Sequence, residues 1–291
     1  MNQRLTTVTT INGTRVPSSQ AKISVFDNSL LYAEGLFETF LAYEDRVLFG
    51  REHLDRLYAG AAVIDLKPPV GRRTLANWMR ETLRAHPSTV KKLRLTVTSG
   101  ESARWVGVQG APQVILSVSS HELPREPFRL QVSNWRVDQD SEFRRIKTIS
   151  YAIHAAAFKR AKQDGFDDAL MINNKENVAE VTSANIFWCR NGRVYTPPIS
   201  AGCLVGVTRL VVLREAAKAG IKIVERDEPL SQVISADEIF ISSSLKLVVG
   251  VAEIADGARV YHVKPGPITE RIAALIARVA RFPRAEVAGA F

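Results

Sequence analysis

Cysteine is scarce in this chain: Cys189 and Cys203 are the two in 291 residues. They stand at no metal-ligand spacing and belong to no pairing framework, so they read as buried thiols, and the sequence offers neither a disulfide scaffold nor a metal site. Also missing is any apolar run of the roughly 20 residues needed to cross a bilayer. The opening MNQRLTTVTT has neither the apolar core nor the cleavage pattern of a signal peptide, which places the protein in the cytoplasm with no membrane partner. No internal repeat or low-complexity tract is visible. Nor is the net charge of +9 gathered into a tract: Lys and Arg are scattered among acids, with short clusters such as Arg144–Arg145 and Lys91–Lys92. With no RNA-recognition or zinc-finger signature, no nucleic-acid partner is expected, and a basic protein handling anionic small molecules accounts for the charge.

What is present is an ordinary globular composition, 46% hydrophobic and 24% charged, enough for one large domain or two smaller ones. Alternation on both sides of Asn12-Gly13 predicts a hairpin, and a second follows from Leu36 to Phe49 with Glu44-Asp45 at its turn. Leu54, Leu57, Ala61 and Ile64 share one helical face, and Leu75, Met79 and Leu83 another, stopped by Pro87. KKLRLTVTSG reads as a strand with Arg94 and Thr96 on the face opposite Leu93 and Leu95. The two prolines and mixed charge of SHELPREPF suggest a linker over 121–128, between a domain at 1–120 and one at 129–291. In the second domain a helix is expected from about Ser150 to Asp164. Strands ALMIN, VAEV and NIFWC follow, then a hairpin at Asn191-Gly192, a helix from Thr208, strand EIFIS and a last helix to Ala280.

Several residues bear chemistry when read one at a time. Glu180 lies in VAEVTSANIFW, an apolar and small-residue run, where an acid needs a cationic or protonated partner unless it is a surface carboxylate paired with a residue such as Lys175. Lys147 closes the run Arg144, Arg145, Lys147, either a solvated basic face or a lysine whose amine is kept neutral for attack on a carbonyl. GVTRL puts Val207 and Thr208 at a helix start, where free N–H groups favour a phosphate, and Ser242, Ser243 and Ser244 offer hydroxyls and amides in one turn. Arg56 in HLDRL either clamps an anion or, beside Asp55, faces water; taken alone, the outward orientation is favoured.

Together and in order, FDNSLLYAEGLFETF, HLDRL, RIKTISY, EVTSANIFW, GVTRL and ADEIFISSS resemble the class IV, fold type IV pyridoxal-phosphate enzymes. These comprise branched-chain and D-amino-acid aminotransferases, R-selective amine transaminases and aminodeoxychorismate lyases. The resemblance runs from about Asn12 to Glu253. It implies a two-domain α/β (α+β) fold with the cofactor, pyridoxal 5'-phosphate, in the interdomain cleft, and a homodimer. It also implies that Lys147 is the Schiff-base lysine and proton shuttle and that Glu180 pairs with the pyridinium nitrogen, while Arg56, Val207, Thr208, Ser243 and Ser244 hold the phosphate. Tyr151 matches the tyrosine near the ring hydroxyl, at a spacing different from that of branched-chain enzymes. On the substrate side it points to Tyr32 and Phe37, to Arg94 or Arg104 as reader of a carboxylate, and to Lys246 where branched-chain enzymes have an alanine. Val106 replaces the histidine of the D-specific enzymes. The expected activity is transamination between an amino acid or amine and a 2-keto acid, with elimination of pyruvate from aminodeoxychorismate as the alternative.

Overall fold

The computed structural model describes residues 7–102 and 110–283. The chain divides into two units, Met1–Glu122 with Ile146–Ser150, and Leu123–Arg145 with Tyr151–Phe291.

The first unit begins with the hairpin that Asn12-Gly13 specifies: both turn residues have positive φ (48° and 81°), the geometry that matches the twist of β1 (Val8–Ile11) and β2 (Thr14–Val16). A short helix, α1 (Asn28–Leu31), is capped by the Asp27 carboxylate accepting from Ser29 N–H at 2.8 Å. Strands β3 (Gly35–Tyr43) and β4 (Arg46–Val47), helices α2 (Gly50–Val63) and α3 (Arg72–Arg84), and strands β5 (Val90–Thr98) and β6 (Val114–Ser120) follow. The sheet is antiparallel throughout, in the order β2-β1-β6-β5-β3-β4. Period-two alternation sends Leu36 and Phe40 of β3 and Leu93, Leu95 and Val97 of β5 into one core with Leu54 and Leu57 of α2 and Leu75, Met79 and Leu83 of α3. The opposite face carries Phe37 and Thr39, level with Thr96 and Arg94.

Sequence reading puts Lys147 with the second domain, but the stretch Ile146–Ser150 clusters with the first unit. Its backbone lies along β3: Phe37 N–H donates to the Lys147 carbonyl at 2.9 Å, Ile149 N–H donates to Gly35 at 3.0 Å, and Ile146 enters the core.

The second unit contains β7 (Phe128–Val137), α4 (Ala152–Gln163), β8 (Asp168–Asn173), β9 (Val178–Val181), β10 (Asn185–Arg190), β11 (Arg193–Thr196) and α5 (Val207–Lys218). It continues through β12 (Ile223–Glu225), α6 (Leu230–Val233), β13 (Glu238–Ser243), β14 (Leu247–Asp256), β15 (Arg259–His262) and α7 (Pro267–Ala280). Eight of its nine strands lie in the order β12-β11-β10-β13-β14-β7-β8-β9, and β15 pairs with β14. The pairs β7–β8, β7–β14 and β11–β12 are parallel. Near-continuous apolar runs in β8, β9 and β10 match the burial of every residue in them except Arg190 at the end of β10. Each unit thus carries one sheet with helices packed on it, the mixed α/β class expected.

Candidate active site

Glu180 sits in the wholly buried strand β9 opposite Met171. Its Oε1 accepts from Arg144 and lies 3.2 Å from His154 Nε2, and its Oε2 accepts the Leu204 N–H at 2.9 Å. Burial alone would raise the carboxyl, but the His154 contact, the Arg144 charge and the Leu204 amide outweigh it and hold Glu180 below the ordinary carboxylate range. The surface alternative for Glu180 is therefore set aside, and Lys175 stands 3.5 Å from Asp140 instead. Arg144 comes from a single 3₁₀ turn at Glu142–Arg145, with its Nε donating to the Gly202 carbonyl at 3.0 Å. His154, on the first turns of α4, stacks on Tyr151 with ring centroids 4.8 Å apart, and the Tyr151 hydroxyl donates to the Thr182 carbonyl. Arg144 and His154 escape sequence reading as partners of Glu180. The signal available was a buried acid without a named cation, and nothing local said which distant cation it was.

The same unit builds a second polar place from the start of α5 and the end of β13. Gly206 caps α5 without any side-chain hydrogen bond, so the first-turn amides of Val207 and Thr208 have no capping group. A Cβ at Gly206 would come within 1.8 Å of Asn185 Oδ1, so any larger residue would have to displace the Asn185 side chain. Asn185, which donates to the Leu204 carbonyl at 3.0 Å, lies opposite Ser242 across the β10–β13 pair. Thr208 Oγ1, Ser242 Oγ and Ser243 Oγ are buried and have no hydrogen-bond partner among the described residues. Orphaned buried hydroxyls cost about 1–3 kcal/mol each, so three in one neighbourhood mark a place built for an acceptor-rich ligand. Beyond Ser243, Lys246 is drawn away to a cluster of its own: its Nζ donates to Ser183 Oγ at 2.7 Å and lies 3.8 Å from Asp168, whose carboxylate also accepts from Thr182 and Ser183. Burial lowers the Lys246 pKa, and Asp168 opposes that shift.

In the first unit the Phe37 ring meets two cations, with Lys147 Nζ 4.4 Å and Arg94 Cζ 4.0 Å from its centroid. The run Arg144, Arg145, Lys147 is thus not one basic face, since Arg144 belongs to Glu180 and Lys147 to Phe37. Arg56 points inward, contrary to its outward preference on sequence grounds: Nε and Nη2 donate to Glu38 at 2.7 and 2.6 Å, while Asp55 takes Arg51 and Arg72. His53 Nδ1 lies 2.7 Å from the same carboxylate. Burial works against the Glu38 anion, yet Arg56 and His53 bring its pKa down to about 2. Tyr32 is 42% exposed, in a segment with Val25, Phe26, Leu30 and Leu31 also exposed. Arg104 and Val106 lie outside the described residues.

The first unit thus carries the Lys147 amine over the Phe37 ring, and the second carries the buried Glu180 carboxylate. The profile of the family described as amino-transferase class IV matches residues 35–254, and the chain belongs to that family. A Methanocaldococcus jannaschii protein whose name provisionally assigns it as a branched-chain-amino-acid aminotransferase is 32% identical over 90% of this chain and 92% of its own length. D-alanine aminotransferase of Listeria innocua is 28% identical, covering 90% of this chain and 92% of its own. Among solved structures, branched-chain aminotransferase from Thermoproteus uzoniensis with norvaline superposes with a TM-score of 0.86 at 27% identity, covering 96% and 97% of the two chains.

Proposed function

We propose that this class IV aminotransferase moves an amino group between an amino acid or amine and a 2-keto acid, with Lys147 as the lysine that holds the carbonyl of pyridoxal 5'-phosphate. The observation that carries the assignment of roles is the condition of Glu180, a buried carboxylate that accepts from Arg144 and the Leu204 amide, lies beside His154 and is held below the ordinary carboxylate range. A carboxylate has about four acceptor positions, so Arg144, His154 and the Leu204 amide leave room for the ring nitrogen that Glu180 would hold. The cofactor, when bound, supplies an electron sink for the pair released as the donor Cα–H bond breaks.

Arg56, Val207, Thr208, Ser243 and Ser244 would hold the phosphate. The orphaned hydroxyls and the uncapped start of α5 support this, because phosphate oxygens accept from both. Tyr151 would line the ring through its face on His154, its hydroxyl being engaged by Thr182. Lys147 Nζ, as the neutral amine, would take the proton at the donor Cα. Arg94, on the same Phe37 ring as Lys147, would read the donor carboxylate with its fork, with Arg104 as the second candidate. Lys246, held by Ser183 and Asp168, fits a supporting role in the pocket wall.

We further propose a homodimer in the cytoplasm. The exposed run Val25, Phe26, Leu30, Leu31 and Tyr32 supports a covered partner surface, and two free buried thiols suit a reducing compartment. The deciding experiment is a donor panel of L-amino acids, D-amino acids and R-amines with a 2-keto acid acceptor. At least one class should yield the aminated acceptor; no transfer, with pyruvate released from aminodeoxychorismate, would select the lyase instead.

A further inference from the structure

Glu38 stands where the alternation of β3 calls for an apolar side chain, between Leu36 and Phe40 on the face that packs against α2. Its side chain is 1% exposed, as is that of His53, while Arg56 is 11% exposed. A buried ion pair is a poor way to stabilise a core, since apolar groups of the same volume do as well or better. The arrangement is therefore better explained by what it does to Arg56. Two bonds from one carboxylate to Nε and Nη2 fix the plane of a guanidinium that would otherwise swing on a long stem. Glu38 is fixed in turn by His53, three residues before Arg56 on the same helical face and packed on Phe40 at 4.5 Å between ring centroids.

We infer that Glu38, backed by His53, is a positioning residue that aims Arg56 at the cofactor phosphate. The inference rests on the assignment of Arg56 as a phosphate ligand. Pairing with Glu38 cancels most of the net charge of Arg56, so recognition depends on the direction of its N–H groups and not on a bare positive field. The anion needed for this grip persists at any working pH, because Arg56 and His53 prevail over burial in depressing the Glu38 pKa.

The test compares affinities of the full-length apoenzyme for pyridoxal 5'-phosphate and for pyridoxal, which lacks the phosphate, in the wild type, Arg56→Ala, Glu38→Gln and the double variant. Glu38→Gln should weaken the phosphorylated ligand on the order of tenfold, the scale of loss when an orienting group behind a ligand is removed. Affinity for pyridoxal should stay unchanged, and adding Glu38→Gln to Arg56→Ala should cost nothing more. If Arg56→Ala weakens both ligands equally or neither, the assignment of Arg56 fails. If Arg56→Ala is phosphate-selective and Glu38→Gln is not, the positioning role alone is overturned. Should Glu38→Gln not fold, Glu38→Asp, which keeps the charge but shortens the reach, is measured in the same way. Failure of both to fold would make Glu38 a fold-holding group and overturn the inference.

Discussion

Arg144 Nη2 stands 3.1 Å from His154 Nε2, and both nitrogens converge on Oε1 of Glu180. Arg144 and His154 together favour the carboxylate anion inside an apolar strand, and they come from opposite sides of the Lys147 stretch in sequence. Arg144→Gln is expected to cost about 3 kcal/mol of stability, the low end for breaking a buried pair, because His154 and the Leu204 amide remain. Thermal denaturation checks the cost, and an unchanged midpoint would mean that Arg144 is an incidental neighbour.

Glu180→Gln keeps the shape and removes the charge. The variant should fold and retain the cofactor chromophore, since the proposed phosphate contacts are untouched. Its turnover should fall by about two to three orders of magnitude, the range for loss of one preorganised electrostatic contact. Single-turnover measurement of Cα proton removal, with a deuterated donor to isolate that step, locates the loss; normal turnover would refute the role of Glu180.

Thr208→Val should change sign with loading. Without cofactor the variant should be as stable as the wild type or more so, because it removes an orphaned buried hydroxyl of nearly the same volume. With cofactor it should lose on the order of tenfold in affinity, about 1.4 kcal/mol. Melting curves of apo and loaded protein read both arms, and Ser243→Ala should behave alike.

Acid should attack the first unit at His53 and Glu38. Burial, against the contrary pull of Glu38, holds the His53 pKa below its ordinary 6.5, so its neutral form favours folding above that pH and the contribution is lost as pH falls through the folded value. Glu38, depressed from 4.5 to about 2, contributes fully above 4.5 and loses its contribution between those two values. Stability should therefore decline gently below about pH 6.5 and more steeply below about pH 4.5. His53→Gln should flatten the first decline while leaving the second, as read from denaturation midpoints across pH.

Local signals made most of the fold legible. Asn12-Gly13 and Asn191-Gly192 set hairpins because both dipeptides hold positive φ, and the alternation in β3 and β5 told core from opposite face. Lys147 and Glu180 stood out because each motif had a fixed order along the chain. Partnerships were a different matter: Arg144 lies 36 residues from Glu180, and Asp168 lies 15 from Ser183. Such pairs are set by which turns and strands the fold brings together, which no local pattern encodes. Glu38 did carry a legible sign, an acid at a core position of an alternating strand, with His53 and Arg56 spaced to meet it. The short α1 and the late strand β15 were not anticipated, being too brief for periodicity to show.

The path of the backbone around Lys147 bears on how such an enzyme can be divided or inherited. The chain passes between the units at Glu122–Leu123, at Arg145–Ile146 and at Ser150–Tyr151, so the first unit is not one continuous piece of gene. A fragment ending at Glu122 would encode the β3 edge without the amine it holds, and a fragment starting at Leu123 would encode the amine without that edge. Neither half is a smaller version of the enzyme. Any split protein cut at that junction would stay silent until its pieces reassembled and returned a five-residue loan.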